Sequence, residues 1–273
     1  MRGATGSGRR RMGNIGSLVL CGVLLGGVGA AFAQPAPVCV PPPVGMVGWW
    51  PGDGTTADLA GFNTGTWHGT TAYAGGEVGQ AFGLDGGSYV EVPSTSALSP
   101  TGAITIDAWV NTSVTNATGR IVNKITAGGG DGYLLDLLGG QLRLIVDGGT
   151  VTGSTTLLSG VTYHVAGTYD GSTMTVYVNG VGDGTSSHSG AIPTNSLPVR
   201  IGADSTGSAN LFTGWIDEVE IFNRALSASE IKAIHDAFSA GKCKTAQIPA
   251  LSPVGLAALG ILVAAAAALL LSR

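Results

Sequence analysis

Short runs in which apolar and polar residues alternate fill the middle of the chain, from about residue 46 to residue 222. Glycine, asparagine, aspartate and threonine separate these runs, which include AITIDAWVN, QLRLIVD and MTVYVNG. Alternation with a period of two is typical of strands with one buried face, and frequent turn residues between short strands indicate a sandwich or a barrel. The pattern therefore predicts an all-β fold.

Local signals define one hairpin and one short helix within this pattern. The hairpin joins predicted strands 163–170 and 174–179 through a turn of Gly171, Ser172 and Thr173. Beyond the last strand, Ser227 and Glu230 have the spacing of a capping box. The apolar residues that then recur at helical spacing are Ile231, Ile234 and Phe238. We expect one helix packed on the sheets, ending near Gly241.

The stretch AITIDAWVN predicts a strand with two different faces. The apolar face consists of Ile104, Ile106, Ala108 and Val110. The other face consists of Thr105, Asp107, Trp109 and Asn111. Aromatic planes stack on sugars while polar neighbours bind hydroxyl groups, so Trp109, Asp107 and Asn111 are candidate ligand-binding residues. The alternative is that Trp109 only covers the sheet.

Both ends of the chain differ from the middle. Residues 1–33 contain four arginines, an apolar run and a small-x-small site, which predicts a signal peptide cleaved before Gln34; a short membrane anchor is the alternative. Residues 34–45 form a proline-rich lead-in. Residues 254–271 are uncharged and mostly apolar, which predicts a transmembrane helix. The globular domain should therefore occupy 46–240, followed by a linker and sorting motif at 241–253.

Removing the two terminal segments changes the charge of the protein. Residues 34–248 contain eight Lys or Arg against seventeen Asp or Glu, a formal charge of −9. Such a body does not suit nucleic acid or anionic lipid as a partner. The remaining cysteines, Cys39 and Cys243, stand at the two ends of the globular region. In an exported chain this pair predicts one disulfide.

Three carboxylates stand in the last predicted strand, GWIDEVEIF. Regular alternation puts Asp217 on the apolar face, and puts Glu218 and Glu220 on the opposite face, in solvent. A buried carboxylate needs a hydrogen bond, an ion pair or a bound cation. Asp53 and Asp58 lie in a glycine-rich loop after the first strand, so Asp217, Asp58 and Asp53 are candidate calcium ligands. The alternative is that Asp217 accepts backbone N–H groups at a turn.

The two glutamates also raise the question of catalysis. A glycosidase needs two carboxylates about 5–10 Å apart that face a cleft. Glu218 and Glu220 share a predicted face, but they have no evident acid or base neighbour. The four histidines are scattered, and no nucleophile elbow of the form G-x-S-x-G accompanies them. The residues therefore favour no catalytic site.

Five stretches carry a resemblance to a known family. In chain order they are GWWPGDGTTADLAGFNTGT, VGQAFGLDGGSYVEVPSTSALSPTGAITIDAWV, TYHVAGTYDGSTMTVYVNG, LPVRIGAD and GWIDEVEIFNRALSASEIKAI. The chain resembles the LamG-like jelly-roll domains of the concanavalin A-like lectin/glucanase superfamily over about residues 44–238. The resemblance implies two antiparallel sheets and a structural calcium held by Asp217 and the loop around Asp58. Glucanase relatives carry an E-x-D-x-x-E catalytic strand, which is not found here, so a non-catalytic module is implied.

The tail IPALSPVGLAALGILVAAAAALLLSR resembles the IPTL-type carboxyl-terminal sorting signal of bacterial surface proteins. The matching residues are Ile248, Pro249, Leu251, Ser252 and Gly255. Ala250, Pro253 and Val254 depart from the usual pattern, and a single Arg273 replaces the usual basic cluster. Membrane insertion is therefore better supported than recognition by a particular processing enzyme.

Together these features predict an exported, calcium-supported jelly-roll module at the bacterial cell envelope or cell surface. We expect it to bind a glycan or a surface protein without catalysis, and to contact the membrane through its C-terminal helix unless processing removes that helix. Two other functions remain open from the sequence. They are a passive structural surface protein without a ligand and a glycoside hydrolase.

Overall fold

The computed structural model of the protein describes residues 39–61, 63–126 and 128–244. Within these ranges the chain forms two β-sheets, one α-helix and one 3₁₀ helix. The strands are β1 Met46–Trp50, β2 Thr66–His68, β3 Tyr73–Gly75, β4 Gln80–Asp85, β5 Tyr89–Val92, β6 Ile104–Thr112, β7 Gly119–Lys124, β8 Tyr133–Leu138, β9 Gln141–Val146, β10 Gly149–Thr156, β11 Thr162–Tyr169, β12 Thr173–Val178, β13 Val181–Ser187, β14 Val199–Ile201 and β15 Thr213–Phe222. The helices are α1 Ala228–Asp236 and the 3₁₀ helix Phe238–Ala240.

The strands pair into an eight-stranded and a seven-stranded sheet. The order of the first sheet is β13-β12-β11-β6-β15-β4-β3, with β1 also paired to β15. The order of the second sheet is β10-β9-β8-β7-β14-β5-β2. The strand pairs in both sheets are antiparallel. The all-β, two-sheet antiparallel sandwich expected from the sequence is therefore confirmed.

The main hydrophobic core lies where the inner faces of the two sheets meet. The predicted apolar face of β6 is in this core, and Ile104, Ile106, Ala108 and Val110 are each 0% exposed. The predicted hairpin is confirmed as β11 and β12, which pair from Val165 opposite Val178 to Tyr169 opposite Met174. Period-two alternation identified these faces correctly because it is a local property of a regular strand.

Helix α1 covers part of the outer face of the eight-stranded sheet. The Ser227 side chain accepts a hydrogen bond from the Glu230 backbone N–H, and Glu230 completes the predicted capping box. Ile231 and Ile234 pack with Ala166, Tyr177, Phe222 and Leu226 in a second hydrophobic cluster. Phe238, expected on the same apolar face, is instead 50% exposed. The reason is that α1 ends at Asp236 and the chain continues in the 3₁₀ helix.

A β-bulge in β15 overturns the predicted phase of the acidic strand. Asp217 lies opposite Trp109 and Glu220 lies opposite Asp107, so three steps along β15 match two steps along β6. Glu218, at the bulge, has a positive φ of 51°. The extra residue reverses the alternation, because a bulge moves every later side chain to the other face. Asp217 and Glu220 therefore share the outer face, while Ile216, Val219 and Ile221 enter the core.

Several predicted segments lie outside the described residues. They are the signal peptide at 1–33, the sorting motif with its matching residues from 248 onward, and the transmembrane helix at 254–271. The described part of the chain contains no helix that is long and apolar enough to cross a membrane.

Candidate functional site

Four carboxylates form a buried acidic cluster on the outer face of the eight-stranded sheet. The acidic cluster consists of Asp107, Asp217, Glu218 and Glu220, each 0% exposed. The expectation that Glu218 and Glu220 face solvent is therefore wrong. The bulge redirects both side chains, and the C-terminal segment beyond α1 covers them. Burial of a carboxylate is costly unless the charge is compensated, so the partners of this cluster decide its stability.

Two lysines from the C-terminal segment compensate the acidic cluster. Lys242, which is 2% exposed, forms an ion pair with Glu220, and its Nζ lies 3.8 Å from Oε2 of Glu218. Lys244 Nζ lies 2.8 Å from Oε1 of Glu218 and 2.5 Å from Oδ2 of Asp53. Trp49 Nε1 also donates a 2.8 Å hydrogen bond to Glu218 Oε2. The positive partners of this site are thus lysine ammonium groups.

The acidic cluster has four carboxylates and two lysine partners, and burial shifts the pKa values of several of these groups. Burial raises the pKa of Asp217 to about 8, and the single hydrogen bond from the Val78 N–H does not offset it. Burial likewise raises the pKa of Glu220, despite the neighbouring Lys242. For Lys242, burial alone lowers the pKa, but the carboxylates of Glu220, Glu218 and Asp107 outweigh it and raise the pKa. Lys242 therefore remains charged within the acidic cluster.

The predicted ligand-binding face of β6 is covered. Asp107 is 0% exposed and Trp109 is 4% exposed, which corrects the expectation of an accessible face. Trp109 stacks against His235 of α1, with ring centroids 5.7 Å apart, and lies edge-on to His164 at 5.0 Å. His164 Nε2 lies 3.0 Å from Asp107 Oδ2, and both side chains are fully buried. The strand phase was right, but only the tertiary structure shows that the helix covers this face.

Asn111 is the third residue predicted on this face, and it is only partly buried. Its Nδ2 donates a 3.3 Å hydrogen bond to the hydroxyl of Thr162 on the neighbouring strand. Trp109 and Asp107 are buried, and the residue opposite Asn111 on β15 is the partly exposed Trp215. A ligand could reach the predicted trio only if α1 moved away from the sheet.

The three predicted calcium ligands do not fit a shared calcium site. Both oxygens of Asp58 accept N–H donors, from the Trp49 and Ala60 backbones on one side and from the Asn63 backbone and amide on the other. Asp53 accepts the Gln80 N–H and pairs with Lys244. Among the described residues, no group of three His, Cys, Asp or Glu could hold a metal ion. Calcium prefers six to eight oxygen ligands, but the oxygens of Asp58 and Asp53 already have N–H or lysine partners, which leaves Oδ1 of Asp217 as an unpaired oxygen among the described residues.

The predicted disulfide is present and closes the fold at this cluster. Cys39 and Cys243 are joined across a sequence separation of 204 residues. Val40 pairs with Lys242 in an isolated parallel bridge beside it. Because Cys243 stands between Lys242 and Lys244, the disulfide anchors the segment that carries both lysines to the acidic cluster. This region is a stabilising clasp, and we refer to residues 242–244 as the clasp segment.

The opposite surface of the sandwich carries a different charged arrangement. On the outer face of the seven-stranded sheet, Arg120 lies opposite Asp136, and Asp136 lies opposite Arg143. Arg143 donates from Nε to Asp136 Oδ1 at 3.0 Å and from Nη2 to Oδ2 at 2.7 Å. Arg120 Nη1 donates to Oδ2 as well. We refer to these three cross-strand partners as the arginine ladder.

The geometry of the arginine ladder fixes its charge state. Asp136 is fully buried, whereas the side chains of Arg120 and Arg143 are 16% and 18% exposed. The hydrogen bonds to Asp136 raise the pKa of Arg143, so its guanidinium group stays charged. Bidentate pairing of this kind holds a guanidinium in one orientation. The ladder therefore presents two oriented cationic groups above one buried anion.

A cavity of about 320 Å³ lies beside the arginine ladder on the same sheet face. Both arginines line it, together with the apolar side chains of Leu134 and Ile145. Its polar wall includes Asn123, Thr126, Thr150, Asp204, Ser205 and Asn210. Cavities that combine apolar walls with a few fixed polar groups are typical of ligand sites. This cavity is the candidate functional site.

Sequence reasoning did not find this site. Local alternation predicts a strand at QLRLIVD, but it does not show that Arg143 meets Asp136 and Arg120. A usable signal was present, since Arg120, Asp136 and Arg143 alternate with apolar residues and their charges have opposite signs on successive strands. Opposite charges on paired strands favour cross-strand contacts. The exact register that aligns them depends on the pairing of three strands.

Comparisons with known proteins agree with this architecture. The family model described as the concanavalin A-like lectin/glucanases superfamily matches residues 84–232. Searched against curated proteins, the chain gave no match. Among solved structures, domain 4 of AbnA, a GH43 extracellular arabinanase from Geobacillus stearothermophilus, matches with a TM-score of 0.56 and 22% identity, covering 71% of this chain and 98% of that domain. That structure is a complex with arabinotriose.

Toxin binding domains share the fold as well. The binding domain of Paraclostridial Mosquitocidal Protein 1 matches with a TM-score of 0.57 and 19% identity, covering 71% of this chain and 52% of that domain. The binding domain of botulinum neurotoxin DC in complex with SialylT matches with a TM-score of 0.55 and 14% identity, covering 71% and 52%. The chain thus spans about half the length of these toxin domains.

The structural matches have low sequence identity and establish the fold alone. The family model, by contrast, covers more than half of the chain, and the antiparallel two-sheet sandwich agrees with it. The chain belongs to the concanavalin A-like lectin/glucanases superfamily.

Proposed function

We propose that this protein is a non-catalytic glycan-binding module, and that its ligand lies on the outer face of the seven-stranded sheet. The observation that carries the proposal is the cavity beside the arginine ladder. There, the apolar side chains of Leu134 and Ile145 lie near oriented guanidinium groups. Apolar side chains pack on the C–H face of a sugar ring, while guanidinium, amide and hydroxyl groups bind its oxygens.

The related structures support a glycan as the ligand. Domain 4 of AbnA was solved with arabinotriose, and a botulinum neurotoxin DC binding domain was solved with SialylT. Another neurotoxin DC binding domain was solved with rat synaptotagmin II, so protein binding also occurs on this fold. The cavity beside the arginine ladder is small and concave, so it suits a sugar ring better than it suits an extended protein surface.

The residues of the cavity do not favour catalysis. A glycosidase uses two carboxylates that face the scissile bond. Asp204 is the one carboxylate among the residues that line this cavity, and Asp136 lies buried beneath both arginines. Glu218 and Glu220 are buried with lysines on the other sheet. These placements support a binding role over hydrolysis.

We further propose that the protein is exported to the bacterial cell envelope. The disulfide between Cys39 and Cys243 supports this location, because such bonds form and persist in oxidising compartments. Attachment to the membrane through the C-terminal segment, or release by processing, is part of the same proposal and concerns residues outside the described ranges. Detection of the cleaved N-terminus and of the intact C-terminus by mass spectrometry of the exported protein tests it.

A steric block in the cavity tests the binding proposal. Thr150 is an exposed strand residue in the cavity wall, so Thr150→Trp should fill the cavity without disturbing the core. The matched control is Val181→Trp, at a strand position that is 66% exposed on the other sheet. Glycan-array binding by the full chain should disappear in the first variant and persist in the second. Absence of all glycan binding, or binding that both variants retain, would overturn the proposal.

A further inference from the structure

Among the described residues, most hydrogen-bond donors of the arginine ladder have no acceptor. Each guanidinium has five N–H donors, and Asp136 accepts two from Arg143 and one from Arg120. Within the residues that the structure describes, the buried Nε of Arg120 has no acceptor. An unpaired buried donor is costly, and a bound ligand that supplies an acceptor removes that cost. Both arginines line the cavity, so a ligand there can offer acceptors to guanidinium donors that Asp136 does not use.

The charges around the cavity indicate the kind of acceptor. Asp136 is fully buried beneath the arginines and does not line the cavity, whereas Arg120 and Arg143 both line it and give its wall positive charge. Asp204 is the single acidic residue in the wall, and its Oδ1 accepts hydrogen bonds from Thr206, Gly207 and Ala209 in its own loop. The cavity wall is therefore positively charged beside the arginines, although residues 34–248 as a whole carry a formal charge of −9.

We infer that the cavity takes an acidic sugar, and that the carboxylate of a uronate-type residue binds the free edges of Arg120 and Arg143. This inference rests on the proposed glycan-binding function and specifies its ligand class. A planar carboxylate matches the guanidinium fork, and charge-assisted hydrogen bonds are stronger than those to neutral hydroxyl groups. The neighbouring, partly exposed side chain of Ile145 then contacts the sugar ring.

A matched pair of ligands tests the inference on the full chain. Oligogalacturonate and its methyl ester have the same sugar backbone, but only the first carries carboxylates. Isothermal titration calorimetry should show binding of the acid form at least about tenfold tighter than binding of the ester, as expected for charge-assisted hydrogen bonds. Arg143→Gln should remove this preference. Lys232→Gln, an equal change of charge at an exposed helix residue, should leave the preference unchanged.

A second variant covers the case in which Arg143→Gln fails to fold. Arg143→Lys keeps a positive charge beside Asp136 but removes the bidentate fork. It should fold with a melting temperature close to that of the wild type and should lose the preference for the acid form. Retention of the full preference in Arg143→Lys would overturn the inference.

The outcomes separate this inference from the function on which it rests. Equal binding of the acid and the ester, still blocked by Thr150→Trp, would overturn the acidic-sugar inference and leave the glycan-binding proposal intact. Equal binding of oligoglutamate and oligogalacturonate would also overturn the inference, because the ligand would then be an acidic peptide. Failure of every glycan to bind would overturn both.

Discussion

Nζ of Lys244 lies 2.8 Å from Oε1 of Glu218, whose side chain is completely buried. The same short clasp segment places Lys242 against Glu220 and joins Cys243 to Cys39. The acidic strand that ends the sandwich is thus neutralised by the residues that covalently close it. Charge compensation and closure of the fold depend on each other in this arrangement.

Loss of Lys242 should destabilise the protein strongly. Lys242→Gln leaves the carboxylate of Glu220 without its cation, and removing one partner of a buried pair costs about 3–5 kcal/mol. Urea unfolding at neutral pH measures this loss. The control is Lys232→Gln, which removes an exposed ion pair to Asp236 and should change the free energy of unfolding by about 0.5 kcal/mol or less. If both substitutions lowered the free energy of unfolding equally, the stabilising role of Lys242 in the clasp segment would be wrong.

The disulfide should contribute stability both directly and through the lysines. Replacing Cys39 and Cys243 by serine opens a loop with a sequence separation of 204 residues, and should lower the free energy of unfolding by about 4–5 kcal/mol. Combining this change with Lys242→Gln should cost less than the sum of the two, because the disulfide holds Lys242 in place. Additive losses in urea unfolding would show that the lysine is positioned independently.

Asp217 should make the stability depend on pH. Its folded pKa of about 8 exceeds its unfolded value, so its contribution is full under acidic conditions and is lost as pH rises from about 4 to about 8. Asp217→Asn removes this titration, so its melting temperature should rise relative to the wild type across that range. Asp170→Asn is the control: hydrogen bonds from Ser172 lower the pKa of Asp170, so its titration lies at lower pH and its profile should stay parallel to that of the wild type between about pH 4 and about pH 8. Parallel pH profiles for wild type and Asp217→Asn would refute this assignment.

Calcium should have little effect on the stability of the domain. The oxygens of Asp58 and Asp53 already accept N–H donors or pair with Lys244, so few ligands are left for the ion. Thermal melts with added calcium and with EDTA should therefore coincide within about 1 °C, since no binding energy is linked to folding. A stabilisation by calcium that disappears in Asp217→Asn would instead restore the site implied by the family resemblance.

Trp109 should act as a packing residue. It is 4% exposed beneath α1, and truncation of a buried aromatic residue costs about 3–5 kcal/mol, so Trp109→Ala should lower the melting temperature strongly. Phe238→Ala removes a half-exposed neighbour of Trp109 and should have a smaller effect. Differential scanning calorimetry compares them. A Trp109→Ala variant of normal stability that no longer binds glycan would place the ligand on this face after all.

The amino-acid sequence alone determined the properties that depend on neighbouring residues. Strand alternation identified the core face of β6 and the hairpin of β11 and β12, because side-chain direction in a regular strand is local. The capping box at Ser227 and Glu230 located the helix for the same reason. Counting cysteines was enough for the disulfide, since only one pair remained in the globular region.

The tertiary structure decided everything that depends on which strands meet and what covers them. The bulge at Glu218 reversed the phase of the acidic strand, and α1 buried the face that carries Trp109. Lys242 and Lys244 became partners of the acidic cluster because the disulfide to Cys39 holds the clasp segment in place. Arg120, Asp136 and Arg143 align through strand register, which arises from long-range pairing that no local pattern of residues encodes.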